Sequence, residues 1–229
     1  MNWLFFAVAA FLIFHVIDGF RRGFVRKFVS AITLVLTLVL VIALTPMVTS
    51  VIQEHTSLQQ SLQEKCSEML QTETFDENVK SDQVMMIDRM NLPDSVKRML
   101  HENNNSEVYK LLEVANFHEY VGAYLAKLII SAMSFLLTFL LVWTLLKIIL
   151  IAMDLIAKLP LLHGINQLAG GALGLVEGVF LVWVVFLLVA AFCNGEVGQK
   201  FYAMINESQM LTYLYEKNVL MNIVFGLIL

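Results

Sequence analysis

Charge is what this sequence has least of. Only 15% of its 229 residues are Asp, Glu, Lys or Arg, where an ordinary soluble domain carries roughly a quarter, so a soluble single-domain enzyme is disfavoured from the outset. The 15 Lys and Arg are outnumbered by 19 acids, and no broad basic face neutralises phosphates, which argues against a nucleic-acid partner. Two cysteines, Cys66 and Cys193, are too few for a disulfide scaffold or a four-ligand zinc site. Catalytic signatures are absent as well: there is no G-x-S-x-G, P-loop, H-E-x-x-H or C-x-x-C, and no Ser/His pair at intramembrane-protease spacing. His55, His101, His118 and His163 lack metal-ligand spacing, and the twelve methionines are scattered as gap-fillers would be. The sequence predicts no enzyme, no metal and no cofactor.

What is present is apolar: 59% of residues are hydrophobic and the mean hydropathy is +0.74. A hydrocarbon core about 30 Å thick needs about 20 such residues in a helix, and four segments qualify. The first, at about 2–20, is short, ends near Asp18-Gly19 and needs its flanks or a thinner bilayer to span. No Lys or Arg precedes it and no small-x-small cleavage site follows, so it reads as retained and not as a secretory signal. The second covers 28–51, with Thr33, Thr37 and Thr45 able to satisfy their hydroxyls one turn back and Pro46 near its far end. The third apolar run is too long for one simple crossing. Lys127 and Lys147, twenty residues apart, fit one bilayer with both amines snorkelling, which places that span at 128–150 with an interfacial or tilted continuation. The fourth lies at 172–192.

The fold class predicted is therefore an all-α polytopic membrane protein, organised as a hairpin (1–52), an acidic helical insert (53–119), a second hairpin (120–195) and a C-terminal amphipathic helix (196–229). Between Glu54 and Glu119 stand 13 acids and 6 bases. Leu58, Leu62, Cys66, Met69 and Leu70 share a helical face there, and LPDSVKRMLHENN reads as a helix started near Pro93 and stopped by asparagines. The tail has apolar residues near helical spacing, but its last run is too short to cross, so an interfacial or re-entrant helix is expected. By the positive-inside rule, Arg21, Arg22, Arg26 and Lys27, and the joint framed by Lys147 and Lys158, face the cytoplasm; the insert and both termini then lie outside, with Cys66 and Cys193 on that same side and expected unpaired. If the two hairpins are a repeat, it is a parallel one about an axis along the membrane normal.

A few residues stand out against this background. Gly170, Gly174 and Gly178 form a double G-x-x-x-G ladder, on which another helix can approach to backbone contact; it serves packing within one protomer, a subunit interface or a bent pore-lining helix. Glu177 lies inside an apolar span, where a charge costs at least ~2.5 kcal/mol. It is expected either to pair, with Arg22, Arg26 or Lys147 within reach, or to line a proton or solute path. Asp18 can pair locally with Arg21 or Arg22, and Asp154 with Lys158. The cluster Arg21, Arg22, Arg26 and Lys27 sets topology and offers a surface to anionic lipid. His15, within the first span, is expected to be hydrogen-bonded inside the bundle.

Two of these elements together resemble the colicin V production (CvpA) family of bacterial inner-membrane proteins. Gly19, Arg22, Gly23, Phe24, Val25 and Arg26 are similar to its Gly-x-x-Arg-Gly-Phe-Val-Arg pattern, and Leu159, Pro160, Asn166, Gly170, Gly174 and Gly178 to its Leu-Pro…Asn…Gly-(x)3-Gly-(x)3-Gly stretch. Three positions depart from the family's habit: Lys27 stands where an acid is common, Gln167 where a base often follows the Asn, and Glu177 where Lys or Arg is frequent. The resemblance implies a multi-pass protein needed for colicin V production or export and linked to envelope homeostasis, working as an accessory or scaffold among other membrane proteins or copies of itself. The alternative is a small transporter or channel subunit with Glu177 in its path.

Overall fold

The computed structural model describes residues 2–70, 79–90, 92–154, 165–192 and 195–226. Among them run eleven helices: α1 (Trp3–Arg22), α2 (Phe24–His55), α3 (Leu58–Leu70), α4 (Lys80–Arg89), α5 (Asp94–Glu102), α6 (Ser106–Leu111), α7 (Phe117–Asp154), α8 (Ile165–Ala191), α9 (Glu196–Asn206), α10 (Gln209–Glu216) and α11 (Val219–Gly226). The described residues contain no strand. Four helices, α1, α2, α7 through Ile149, and α8, are long and apolar enough to cross a membrane. The chain is an all-α polytopic membrane protein.

Local sequence sets the helix ends. Asn2 caps α1, its Oδ1 accepting the Phe5 N–H at 3.1 Å. Gly23 breaks α1 from α2 with φ 77°, a left-handed-side backbone that favours glycine. Ahead of α7, Asn116 Oδ1 accepts the Glu119 N–H at 2.9 Å, and the Glu119 carboxylate accepts the Ala115 N–H at 2.8 Å, a reciprocal cap. Helix α5 lies between Pro93 and Asn103 as the sequence predicts.

The two hairpins interleave. α1 packs mainly on α8, and α2 on α7 and α8, whereas the two helices of each hairpin meet each other far less. On α2 the inward stripe is Thr33, Thr37, Val41 and Thr45; the threonine hydroxyls donate to the carbonyls of Val29, Thr33 and Val41 at 2.7–2.8 Å, so no polar group on that stripe goes unsatisfied. The helix runs through Pro46 for nine more residues.

The third segment was expected as a span at 128–150 with an interfacial or tilted continuation. α7 is one helix of 38 residues, about 57 Å long. Its first turns are a post for the insert. A Cβ on Gly122 would clash with Ser67 of α3, so α3 lies directly on α7. The Tyr120 hydroxyl donates to the Leu100 carbonyl at 2.8 Å, and its ring stacks on Tyr109 at 5.0 Å. Ile87, Leu92, Val96 and Leu100 close a small core there. Cys66 is free and buried on the α3 face, and burial pushes its thiol up. Met69 and Leu70 side chains, and Cys193, lie outside the described residues.

The tail is not one amphipathic helix but three short ones, interrupted at Glu207–Ser208 and Lys217–Asn218. It folds back onto the bundle. The Trp183 indole of α8 donates to the Leu214 carbonyl, and the Asn218 amide donates to the Trp183 carbonyl, both at 2.9 Å. Asn2 Nδ2 donates to the Met204 carbonyl at 2.6 Å and to Glu207 at 2.9 Å, joining the start of α1 to α9. Helix α11 rests on α5, α7 and α8. Insert, N-terminus and tail thus gather at one end of the bundle, and the α1–α2 turn stands at the other.

Candidate functional site: a glycine seam and a buried charge network

The seam between α1 and α8 is made of glycine on both sides. A Cβ on Gly19 would clash with the Gly170 carbonyl, one on Gly170 with the Gly19 carbonyl, and one on Gly174 with the His15 carbonyl. Gly178 is slightly looser, its Cβ position lying 3.1 Å from His15 Cβ and 3.2 Å from Leu12. The ladder predicted from the sequence is therefore filled by α1 of the same chain. At the top of the seam, Asn166 Oδ1 accepts the Val25 N–H at 3.4 Å, and a Cβ on Gly23 would strike the Asn166 amide. The two elements that carry the resemblance, some 140 positions apart, form one contact.

Beside the seam runs a chain of polar side chains. Arg22 Nε holds Asp18 at 2.7 Å; Lys27 Nζ lies 3.0 Å from the other Asp18 oxygen and 2.6 Å from Glu177. The Ser30 hydroxyl donates to the second Glu177 oxygen at 3.2 Å, and Lys147 donates to that same hydroxyl at 3.4 Å. Lys147 also sits 5.5 Å over the Trp143 ring. All four spanning helices contribute. Glu177 stands twelve residues into α8, about 18 Å from its start, and both its oxygens are engaged. A carboxylate at that depth needs a cation and a second donor to offset its lost hydration, and it has both.

Several expectations change with this geometry. The partner of Glu177 is Lys27, not Arg22, Arg26 or Lys147, and Lys27 is only 4% exposed, which removes it from the surface available to lipid. Arg21, Arg22 and Arg26 are exposed. Asp18 makes its predicted local pair with Arg22 and adds Lys27. His15 does not make the expected hydrogen bond through Nδ1, which is buried without a partner among the described residues, and the ring lies against Phe11 at 4.6 Å and Phe14 at 5.8 Å. Asp154 ends α7, while its side chain and Lys158, its expected partner, lie outside the described residues, as do Leu159, Pro160 and His163. No cluster of metal-ligating side chains occurs among the described residues. Sequence reasoning missed Ser30 and the pairing of Lys27 with Glu177, although both departures from the family's charge pattern were visible. The two residues lie against each other, Lys27 Nζ 2.6 Å from Glu177.

Fold and site define a polytopic membrane protein whose core is a glycine-packed helix pair with internally neutralised charges. The family model described as Colicin V production protein matches residues 111–218, just under half of the chain, and over that stretch the chain is similar to that family. The match takes in α7, α8 and most of the tail, and leaves the Arg22–Arg26 element outside it. Neither a curated protein nor a solved structure matches the chain. The family suggests a role in colicin V production and is not a known enzyme family.

Proposed function

We propose that the protein is a non-catalytic accessory or scaffold of the bacterial inner membrane, acting in colicin V production or export and in envelope homeostasis through other membrane proteins or further copies of itself. The observation that carries this reading is the pairing inside the bundle: Lys27 takes both Asp18 and Glu177, and α1 fills the glycine ladder, so the spans form a closed support for the insert and the tail. The basic residues at the α1–α2 turn, with Lys147 and Lys158 in the sequence between the last two spans, orient it with the α1–α2 turn in the cytoplasm and the acidic insert and both termini outside.

A second reading, transport of protons or a small solute, has one observation in its favour. Glu177, Ser30 and Lys147 link α8, α2 and α7 through hydrogen bonds, beside a histidine with an unpartnered nitrogen. Intramembrane ionisable groups mark such paths. Secretion of colicin V from a strain lacking the protein separates the two. Wild type restores it, Gly174→Leu does not, and Glu177→Gln, at equal protein level, restores most of it. If Glu177→Gln abolishes secretion at equal level and also removes a proton or solute flux from reconstituted vesicles, the scaffold reading fails and transport replaces it.

A further inference from the structure

The basic cluster of the first hairpin splits in two in the fold. Lys27 and Arg22 are used up on acids inside the protein. Arg26 is exposed one turn before Ser30 on α2, and residues four apart share a helix face. Across the seam, Lys147 of α7 reaches the Ser30 hydroxyl at 3.4 Å and touches the face of Trp143, and neither contact is with an acid. Both carboxylates of the network are already hydrogen-bonded to Lys27 or Arg22; Lys147 meets Glu177 only through the Ser30 hydroxyl they share, and Arg26, one turn earlier on α2, makes no ion pair among the described contacts. Around them α2 and α7 turn apolar residues outward, Phe28, Val29 and Ile32 on one helix and Leu145, Ile148 and Ile149 on the other.

Two cations at a helix seam, with apolar side chains on either flank, match an anionic phospholipid: a phosphate at the head and acyl chains alongside. We propose that the α2–α7 seam at Arg26 and Lys147, beside Ser30, binds the phosphate group of an anionic phospholipid. Lys27, expected from the sequence to share in lipid binding, takes no part. This site does not depend on the accessory role proposed above.

The test uses the full chain in phosphatidylcholine nanodiscs with spin-labelled phosphatidylglycerol or phosphatidylcholine, and reads the fraction of motionally restricted label. The expected result is a preference for phosphatidylglycerol that falls about fivefold with Arg26→Gln and about fivefold with Lys147→Gln, while Lys147→Arg retains it and Lys217→Gln, in the tail, changes nothing. Helix content by circular dichroism, equal to wild type, shows that the variants are folded. An absent preference in wild type, or one that survives the double variant, overturns the proposal. So does its complete displacement by millimolar inorganic phosphate, which would mark a site for the free anion.

Discussion

The two ends of the bundle are held by different means. At the α1–α2 turn, backbone meets backbone: glycines on α1 and α8 leave no room for a methyl group, and charges are satisfied by one another across four helices. At the other end the insert and the tail lie on α7 and α8 by ordinary burial of Ile87, Leu100, Tyr120, Leu211 and Phe225, with single hydrogen bonds from Tyr120 and Trp183 fixing register. At the first end Gly19, Gly170 and Gly174 have no space for a side chain. The second spreads its stability over many replaceable contacts.

The sharpest way to break this contrast is Gly174→Leu. It drives a side chain into the His15 carbonyl and should leave no folded monomer in detergent, read as loss of a cooperative thermal transition; a normal melt would mean that the seam can open at little cost. Lys27→Met comes next, because it leaves the buried Glu177 without its cation while Asp18 keeps only Arg22. Removing one member of a buried pair costs about 3–5 kcal/mol, and the melting temperature should drop accordingly. Glu177→Gln should cost less, since Lys27 keeps Asp18. At the capped end the effects shrink: Tyr120→Phe loses one hydrogen bond to Leu100, about 1 kcal/mol, with the melt still cooperative. Smallest is Gly171→Ala, whose added methyl meets nothing nearer than 3.6 Å and should change stability by less than about 0.5 kcal/mol. If Gly171→Ala proves as damaging as Gly174→Leu, the seam is not specific to the Gly170, Gly174, Gly178 ladder.

Much of the fixed end was legible before any coordinates, and the reasons are physical. A bilayer demands long apolar helices, so four spans showed in hydropathy; close helix approach demands small residues four apart, so Gly170, Gly174 and Gly178 stood out. Depth was not legible. Lys27 follows the turn and Glu177 sits well inside a span, and only the offset between α2 and α8 brings the amine to the carboxylate. The burial of Cys66 was hidden for a related reason: its face on α3 is covered by α7, a contact no local periodicity records. The breaks in the tail did leave a signal, in Asn206-Glu207-Ser208 and Lys217-Asn218, where polar residues interrupt the apolar face.

The crosswise pairing of the hairpins has a consequence for how the molecule is made. Helices α1 and α2 leave the ribosome first, yet the groups that complete them, Glu177 for Lys27 and the glycine ladder for Gly19, follow some 150 positions later. At about 5–20 residues per second, the first hairpin waits roughly 8–30 s in the bilayer with its amine satisfied only by Asp18. Throughout that interval it is an unfinished surface. Only the arrival of the last span closes it.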